Sequence, residues 1–233
     1  MKCHQRIIRE KISQDPSGEL FHFWKDLDVS INKAELMPIS HATASAIIRQ
    51  YEYLGTMSNA PIASFGIYWG GFCGGVVVFG SPSPPSIASS VIPKEYASKV
   101  IQLGRGASVH WAHEHASSKL IGYGLKEIEK LGYRVVIAFA DPMAGEIGTV
   151  YQATNWLYCG WTEKRPDYID GYGKVIVGPV GVIKGHMTIK PRPRKRRYVH
   201  ILGDRREKRN FRAMLKWPVF PYEKRVSLPH PAS

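Results

Sequence analysis

The stretch IQLGRGASVHWAHEHASSKLIGYGLKEIEKLGYRVVIAFADPMAGEIGTVYQATNWLYCGW, residues 101–161, reads as strand, loop, amphipathic helix, buried strand, short helix and strand. Ile121, Leu125 and Ile128 recur at i, i+4 and i+7, the spacing that puts apolar side chains on one helical face. Ser117 or Ser118 is the expected N-terminal cap of that helix. VVIAFA (135–140) is a short, fully apolar run, as expected of a strand covered on both faces. Alternating strands and helices of this kind predict an α/β sheet, and in such sheets ligands gather beyond the carboxyl ends of strands. Asp141 stands at such an end, and Tyr151 follows ten residues later.

Working outward, VSINKAELMPIS (29–40) reads as a first strand and HATASAIIRQYEYLG (41–55) as a helix stopped by Gly55. The loop TMSNAP (56–61) is a candidate substrate-facing segment. SFGIYWGGFCGGVVVFG (64–80) reads as a β-hairpin reversing at glycine. SPSPPSIASS (81–90) reads as a Pro/Ser loop, and EYASKVIQLGRGASV (95–109) supplies a strand ending near Arg105. Gly122 and Gly124 each cost about 1 kcal/mol against Ala in a helix, so close packing on the sheet or on a ligand is the natural explanation. GYGKVIVGPVG (171–181) reads as a closing strand or hairpin. YVHIL (198–202) reads as a further strand and REKRNFRAMLKW (206–217) as a basic helix before Pro218. Residues 1–30 form an N-terminal extension with a short amphipathic helix, residues 31–183 the domain, and residues 184–233 a basic extension packed on it.

The charge is segregated. Lys184 to Arg225 holds fifteen Lys and Arg against three acids, a net of +12 out of a total of +13 for 233 residues. A concentrated basic block interleaved with aromatic residues suits a polyanion, because each neutralised phosphate releases condensed counterions. The plainer alternative is a solvated or targeting tail. Arg194, Lys195, Arg196, Arg197, Arg205 and Arg206 are the candidate DNA-contacting cations. Cys3, Cys73 and Cys159 have neither disulfide-framework nor metal-site spacing. No apolar run is long enough to span a membrane and the first residues do not form a secretory signal, so the expected setting is cytoplasmic.

Two constellations bear on chemistry. His110, His113, Glu114 and His115 lack the HExxH spacing and read as a polar loop before a helix. Asp141 and Tyr151 have structural readings too, a turn with Pro142 and a packed ring. Functionally, they are a carboxylate to accept a proton from an attacking amine and a phenol to return one to a leaving thiolate. The start of the 116–130 helix offers free N–H groups to a phosphate. There is no Gly-x-Ser-x-Gly elbow and no Walker loop, which argues against serine-hydrolase and nucleotide-hydrolysis chemistry.

The element order resembles the GCN5-related acyltransferase fold, a mixed sheet flanked by helices. More specifically, the chain resembles the phage Mom family of DNA adenine modification proteins. YEYLG (51–55), GR (104–105), SSKLIG (117–122), FAD (139–141) and GTVYQATNWLYCG (148–160) carry the match, with KRRYVHILGDRR (195–206) and PYEKR (221–225) in the tail. The resemblance implies transfer of a carbamoylmethyl-type group to the exocyclic N6 amine of adenine, protecting phage DNA from restriction in a bacterial host. It implicates Tyr53, Ser118, Asp141 and Tyr151 in catalysis and Arg105, Ser117 and Ser118 in binding a donor, acetyl-CoA or another acyl donor. Iron is a further cofactor the resemblance admits. A target base must leave the duplex stack, and Tyr53, Trp69 or Trp111 would stack on it. The chain departs from its relatives in two places: Glu52 precedes Tyr53 where the family often has histidine, and no Arg-x-x-Gly-x-Gly/Ala loop precedes the helix. The alternative readings are an amine N-acetyltransferase acting on protein or small molecules, and a non-catalytic nucleic-acid-binding protein.

Overall fold

The computed structural model describes residues 26–57, 60–169, 171, 175–176 and 188–222, with 7, 8, 10, 11 and 14 near the N-terminus. Most of the expected N-terminal helix, most of the 171–181 hairpin and the end of PYEKR lie outside these residues.

The strands β1 (Glu35–Pro38), β2 (Pro61–Trp69), β3 (Phe72–Gly80), β4 (Val100–Ser108), β5 (Val135–Ala140), β6 (Leu157–Trp161) and β10 (Arg196–Ile201) form one sheet. Its order is β1-β2-β3-β4-β5-β10-β6. Every neighbouring pair is antiparallel except β4 and β5. That parallel pair is short, running from Val100↔Val135 to Gln102↔Ile137. Beyond it β4 continues to Ser108 on the edge of β3, while β5 ends at Ala140 against β10. The two strands therefore part, and a notch opens in the middle of the sheet. A separate three-stranded sheet, ordered β8-β7-β9, is built from β7 (Pro166–Ile169), β8 (Val175–Ile176) and β9 (Thr188–Pro191).

Helices α1 (His41–Tyr51) and α3 (Ala116–Lys130) cover the β2–β4 half. Phe65, Ile67, Val76, Phe79, Leu120 and Ile128 join Ile48 there in one core. A second core gathers Val91, Ile92, Val135, Ile137, Val199, Phe211 and Trp217 under α2 (Ser86–Val91) and α5 (Arg205–Ala213). Burying each such aliphatic side chain contributes about 1.5–3 kcal/mol. Gly124 lets α3 approach the sheet, since a Cβ there would meet Phe79 Cε2 at 2.7 Å, whereas Gly122 has open space around it.

Several expectations are corrected. The hairpin turns on Gly70 and Gly71 alone, whose φ of +54° and +81° suit a two-residue primed turn. Phe72 to Gly75 already belong to β3. SIASSV is helix rather than loop, because two prolines precondition its start and Ala88 and Val91 gain a core to bury against. Strand β4 runs three residues past Arg105. Neither Ser117 nor Ser118 caps α3; the N-cap is His115, and both serines lie inside the first turn. Helix α1 ends at Tyr51, with Gly55 closing the turn that follows. The expected strand at 198–202 sits inside the main sheet, between β5 and β6.

Candidate active site

The notch opens into a cavity of about 790 Å³ that reaches both faces of the sheet. One wall is formed by the β4 edge from Gln102 to Ser108, and another by the loop from Gly145 to Tyr151. Tyr53, just past α1, and Lys195, just before β10, meet at its centre.

Behind them lies Asp141. Its Oδ2 accepts the Tyr53 hydroxyl at 2.9 Å and pairs with Lys195 Nζ at 3.0 Å. Its Oδ1 accepts the Met143 N–H at 2.9 Å, and Lys195 also donates to the Tyr53 oxygen at 3.2 Å. Burial pushes the Asp141 carboxyl up, but the Lys195 hydrogen bond, the Tyr53 hydroxyl, the Lys195 charge and the Met143 N–H outweigh it and hold it below the ordinary range. Asp141 is only 8% exposed and does not line the cavity. It orients two groups that do.

The carboxylates facing the cavity are Glu52 and Glu146. Glu146 accepts the Asp141 N–H at 3.3 Å. Burial drives its carboxyl above the usual range, and neighbouring Glu52 and Asp141 add to the effect. Burial likewise raises Glu52, against the pull of Arg105, the Leu54 and Gly55 N–H groups and Lys195. Tyr53 and Tyr151 are both pushed up, chiefly by burial, so each stays a neutral phenol and a hydrogen-bond donor. Tyr151 lines the cavity and packs on Trp156 and Tyr198 at centroid distances of 5.1 and 4.9 Å. Gly148, at φ +76°, makes room for Tyr198, whose hydroxyl donates to the Ile147 carbonyl at 2.7 Å.

The structure thus brings together Tyr53, Asp141 and Lys195, with Tyr151 and Arg105 on the same cavity. Arg105 donates to the Thr56 carbonyl at 2.7 Å and to the Gly104 carbonyl at 2.8 Å, fastening the loop after α1 to β4. Ser117 lines the cavity and shares a 2.7 Å hydrogen bond with Ser108. Ser118 does not line it; its hydroxyl donates to the His115 carbonyl at 3.0 Å. Trp69 is a core residue, 1% exposed, and Trp111 packs against it at 6.2 Å, so neither offers a face to the cavity. The aromatic residues that do are Tyr53, Tyr151, Phe139 and Trp217.

The six basic candidates separate. Lys195 is engaged in the site. Arg194 and Arg196 flank the Trp161 ring at 5.8 and 4.6 Å, whereas strand alternation sends Arg197 to the other face against Trp217 at 4.6 Å. Arg205 and Arg206 are exposed in the first turn of α5, behind an Asp204–Glu207 capping box. Glu146 and Trp217 escaped the sequence reading. Glu146 lies in a loop whose course depends on positive φ at Gly145 and Gly148, and the GEIG pattern is the signal that would have found it.

Iron finds no fit. Among the described residues no group of three or more His, Cys, Asp or Glu side chains is arranged to hold a metal ion. His113 accepts the His115 N–H at 3.0 Å, and His110 meets the Tyr51 hydroxyl at 3.3 Å instead. Among the described residues no helix is long and apolar enough to cross a membrane.

Residues 33–176 match the model of the Mom protein family. A methylcarbamoylase, Mom, of Escherichia phage Mu is 27% identical over 203 residues, covering 80% of this chain and 82% of that protein. Among solved structures, an acetyltransferase of the GCN5-related family from Elizabethkingia anophelis with acetyl-CoA bound superposes with a TM-score of 0.45 at 9% identity, covering 73% of this chain and 99% of that one. A Bacillus subtilis acetyltransferase in complex with CoA gives 0.44 at 10% identity, covering 73% and 98%.

Proposed function

The chain belongs to the Mom protein family, and from that premise we propose that it is a transferase that adds a carbamoylmethyl-type group to the N6 amine of adenine in DNA, protecting phage DNA from host restriction. The observation that carries this reading is the parting of β4 and β5 over a cavity ringed by Tyr53, Glu146, Tyr151 and Lys195. A reacting amine and a donor can meet there from opposite faces of the sheet.

The donor side fits an extended, amide-bearing acyl donor such as acetyl-CoA or a related thioester. Beyond Gln102 the β4 backbone pairs with β3 on one edge and faces the cavity on the other. That edge offers peptide groups for the donor to hydrogen-bond as an added strand. Ser108, Ser117 and the start of α3 stand at the end of this edge, where free N–H groups suit phosphate. When bound, the donor supplies the electrophilic carbon.

Adenine's amine is conjugated with its ring and weakly nucleophilic, so it must lose a proton as its bond to carbon forms. Glu146 accepts that proton. A base whose proton affinity has been raised is better matched to the task near neutral pH than Asp141, whose affinity has been lowered. Tyr53 and Lys195, held by Asp141, orient the base and balance charge. As the bond from carbon to the leaving group breaks, Tyr151 donates a proton to the departing atom. The expelled base costs a few kcal/mol to unstack, offset by phosphate contacts with the basic C-terminal residues. The test is mass spectrometry of nucleosides from DNA of cells expressing the chain. A modified deoxyadenosine, identified by its added mass, supports the reading, and unmodified deoxyadenosine in a well-expressed sample overturns it.

A further inference from the structure

Arg197 is a partly desolvated cation without a carboxylate. Its Nε donates to the Cys159 carbonyl at 3.2 Å, and neither terminal nitrogen has a hydrogen-bond partner among the described residues. The nearest cavity-wall acid that acts on it, Glu163, is paired with Arg165 at 3.1 Å. A cation taken out of water is costly unless an anion answers it, and arginine does not relieve the cost by losing its proton.

The surroundings are built. The guanidinium lies over Trp217, and that ring meets the edge of Phe139 at 6.3 Å. Phe139 is the residue opposite Arg197 in the β10–β5 register. Trp217 is 8% exposed, and its neighbour Lys216 ties the segment to α2 through the Val91 and Ser89 carbonyls, both at 2.8 Å. Arg197, Trp217 and Phe139 all line the cavity, together with Ser86 and Ser90. Position 139 is two residues before Asp141, about 7 Å along a strand. The result is a planar fork, braced from behind, beside the reacting centre.

Resting on the function proposed above, we propose that Arg197, braced by Trp217, is the subsite for a phosphate of the nucleotide whose base enters the cavity. A planar guanidinium meets two phosphate oxygens at once. Unlike the exposed Arg194, Arg205 and Arg206, it is placed to engage an extruded nucleotide rather than an intact duplex surface.

The experiment compares full-length wild type with Arg197→Gln and Arg197→Lys, the latter keeping charge while losing the fork, each checked for a wild-type melting curve. Extrusion is read from 2-aminopurine fluorescence in a duplex carrying it at a modified adenine position, and donor-side binding from calorimetry with coenzyme A. The expected result is a fluorescence rise lost in Arg197→Gln and reduced in Arg197→Lys, with the KM for DNA raised about tenfold or more and coenzyme A affinity unchanged. Loss of coenzyme A affinity with normal extrusion keeps the phosphate subsite but gives it to the donor. Unchanged extrusion, KM and coenzyme A affinity in folded variants overturn the proposal. Failure of the wild type itself to modify DNA sinks the parent reading instead, so the two failures are distinct.

Discussion

Lys195 Nζ stands 3.0 Å from Asp141 Oδ2, so a cation from the basic C-terminal run reaches into the centre of the domain and neutralises a carboxylate at the end of β5. The ion pair ties the polyanion-seeking segment to the reacting groups. Lys195→Met breaks it without removing much bulk. Because the Lys195 side chain is 37% exposed, solvent already screens part of the interaction, and the expected cost is on the order of 1 kcal/mol. The sign in pH follows from the lowered Asp141 carboxyl. Its stabilisation is present above the unfolded aspartate value and lost as pH falls through the folded one. In Lys195→Met the carboxyl moves up, so the acid-induced fall in melting temperature begins at a higher pH than in wild type.

Glu146 and Asp141 are neighbouring carboxyls shifted in opposite directions, and their variants should separate base from support. Glu146→Gln is expected to lower kcat about 10²–10⁴-fold with DNA affinity retained. Wild-type kcat should rise with pH through the raised Glu146 titration, and Asp141→Asn should keep that limb while losing activity through misplaced Tyr53 and Lys195. Steady-state rates across pH 4–9 check this. A normal rate in Glu146→Gln would return the role of base to Asp141.

The β4–α3–β5 unit was legible because its periodicities are strong and its packing is local. VVIAFA admits little besides a buried strand, and Ile121, Leu125 and Ile128 all reach the core. Helix α2 was hidden because its Pro/Ser composition speaks for a loop, and only burial of Val91 by a distant part of the chain decides otherwise. The site was half legible. Tyr53, Asp141 and Tyr151 could be named, but in a run of four cations nothing local says that Lys195 turns inward and Arg197 leaves by the opposite face. That depends on β10 entering between β5 and β6, a pairing with residues more than thirty positions away.

Gly122 and Gly124 look alike in sequence and should behave oppositely. With open space at its Cβ position, Gly122→Ala is expected to stabilise the protein by about 0.5–1 kcal/mol through helix propensity alone. Gly124→Ala meets Phe79 at 2.7 Å and Phe65 at 3.3 Å, and is expected to cost about 1–3 kcal/mol by overpacking. Thermal melts of the two variants suffice, and equal effects would show that α3 does not lie against β3 as described.

His200 carries the clearest acid sensitivity in the sheet. Its ring lies 5.5 Å from Trp156, its Nδ1 is buried without a partner, and burial, with Lys208 nearby, lowers it to about 4. A histidine lowered in the folded state stabilises fully above its unfolded value near 6.5, and that contribution drains away as pH falls toward the folded one. The loss between those limits is at most about 3 kcal/mol. His200→Leu removes the titration, so its melting temperature should fall less than that of wild type between pH 7 and 4.5.

Arg205 and Arg206 test the basic surface without touching the site. Both are exposed in the first turn of α5, where the positive end of the helix dipole disfavours cations, and neither has an ion-pair partner among the described residues. Retaining two such cations makes sense if phosphates offset the repulsion. Replacing both with alanine should leave the fold as stable as wild type or slightly more so, while weakening duplex binding. The slope of log K against log salt should become shallower by about 0.9 for each phosphate that is no longer neutralised. Anisotropy titrations from low to physiological salt measure it. A weaker complex with an unchanged slope would mean that these residues act through the position of α5, and not through the phosphates.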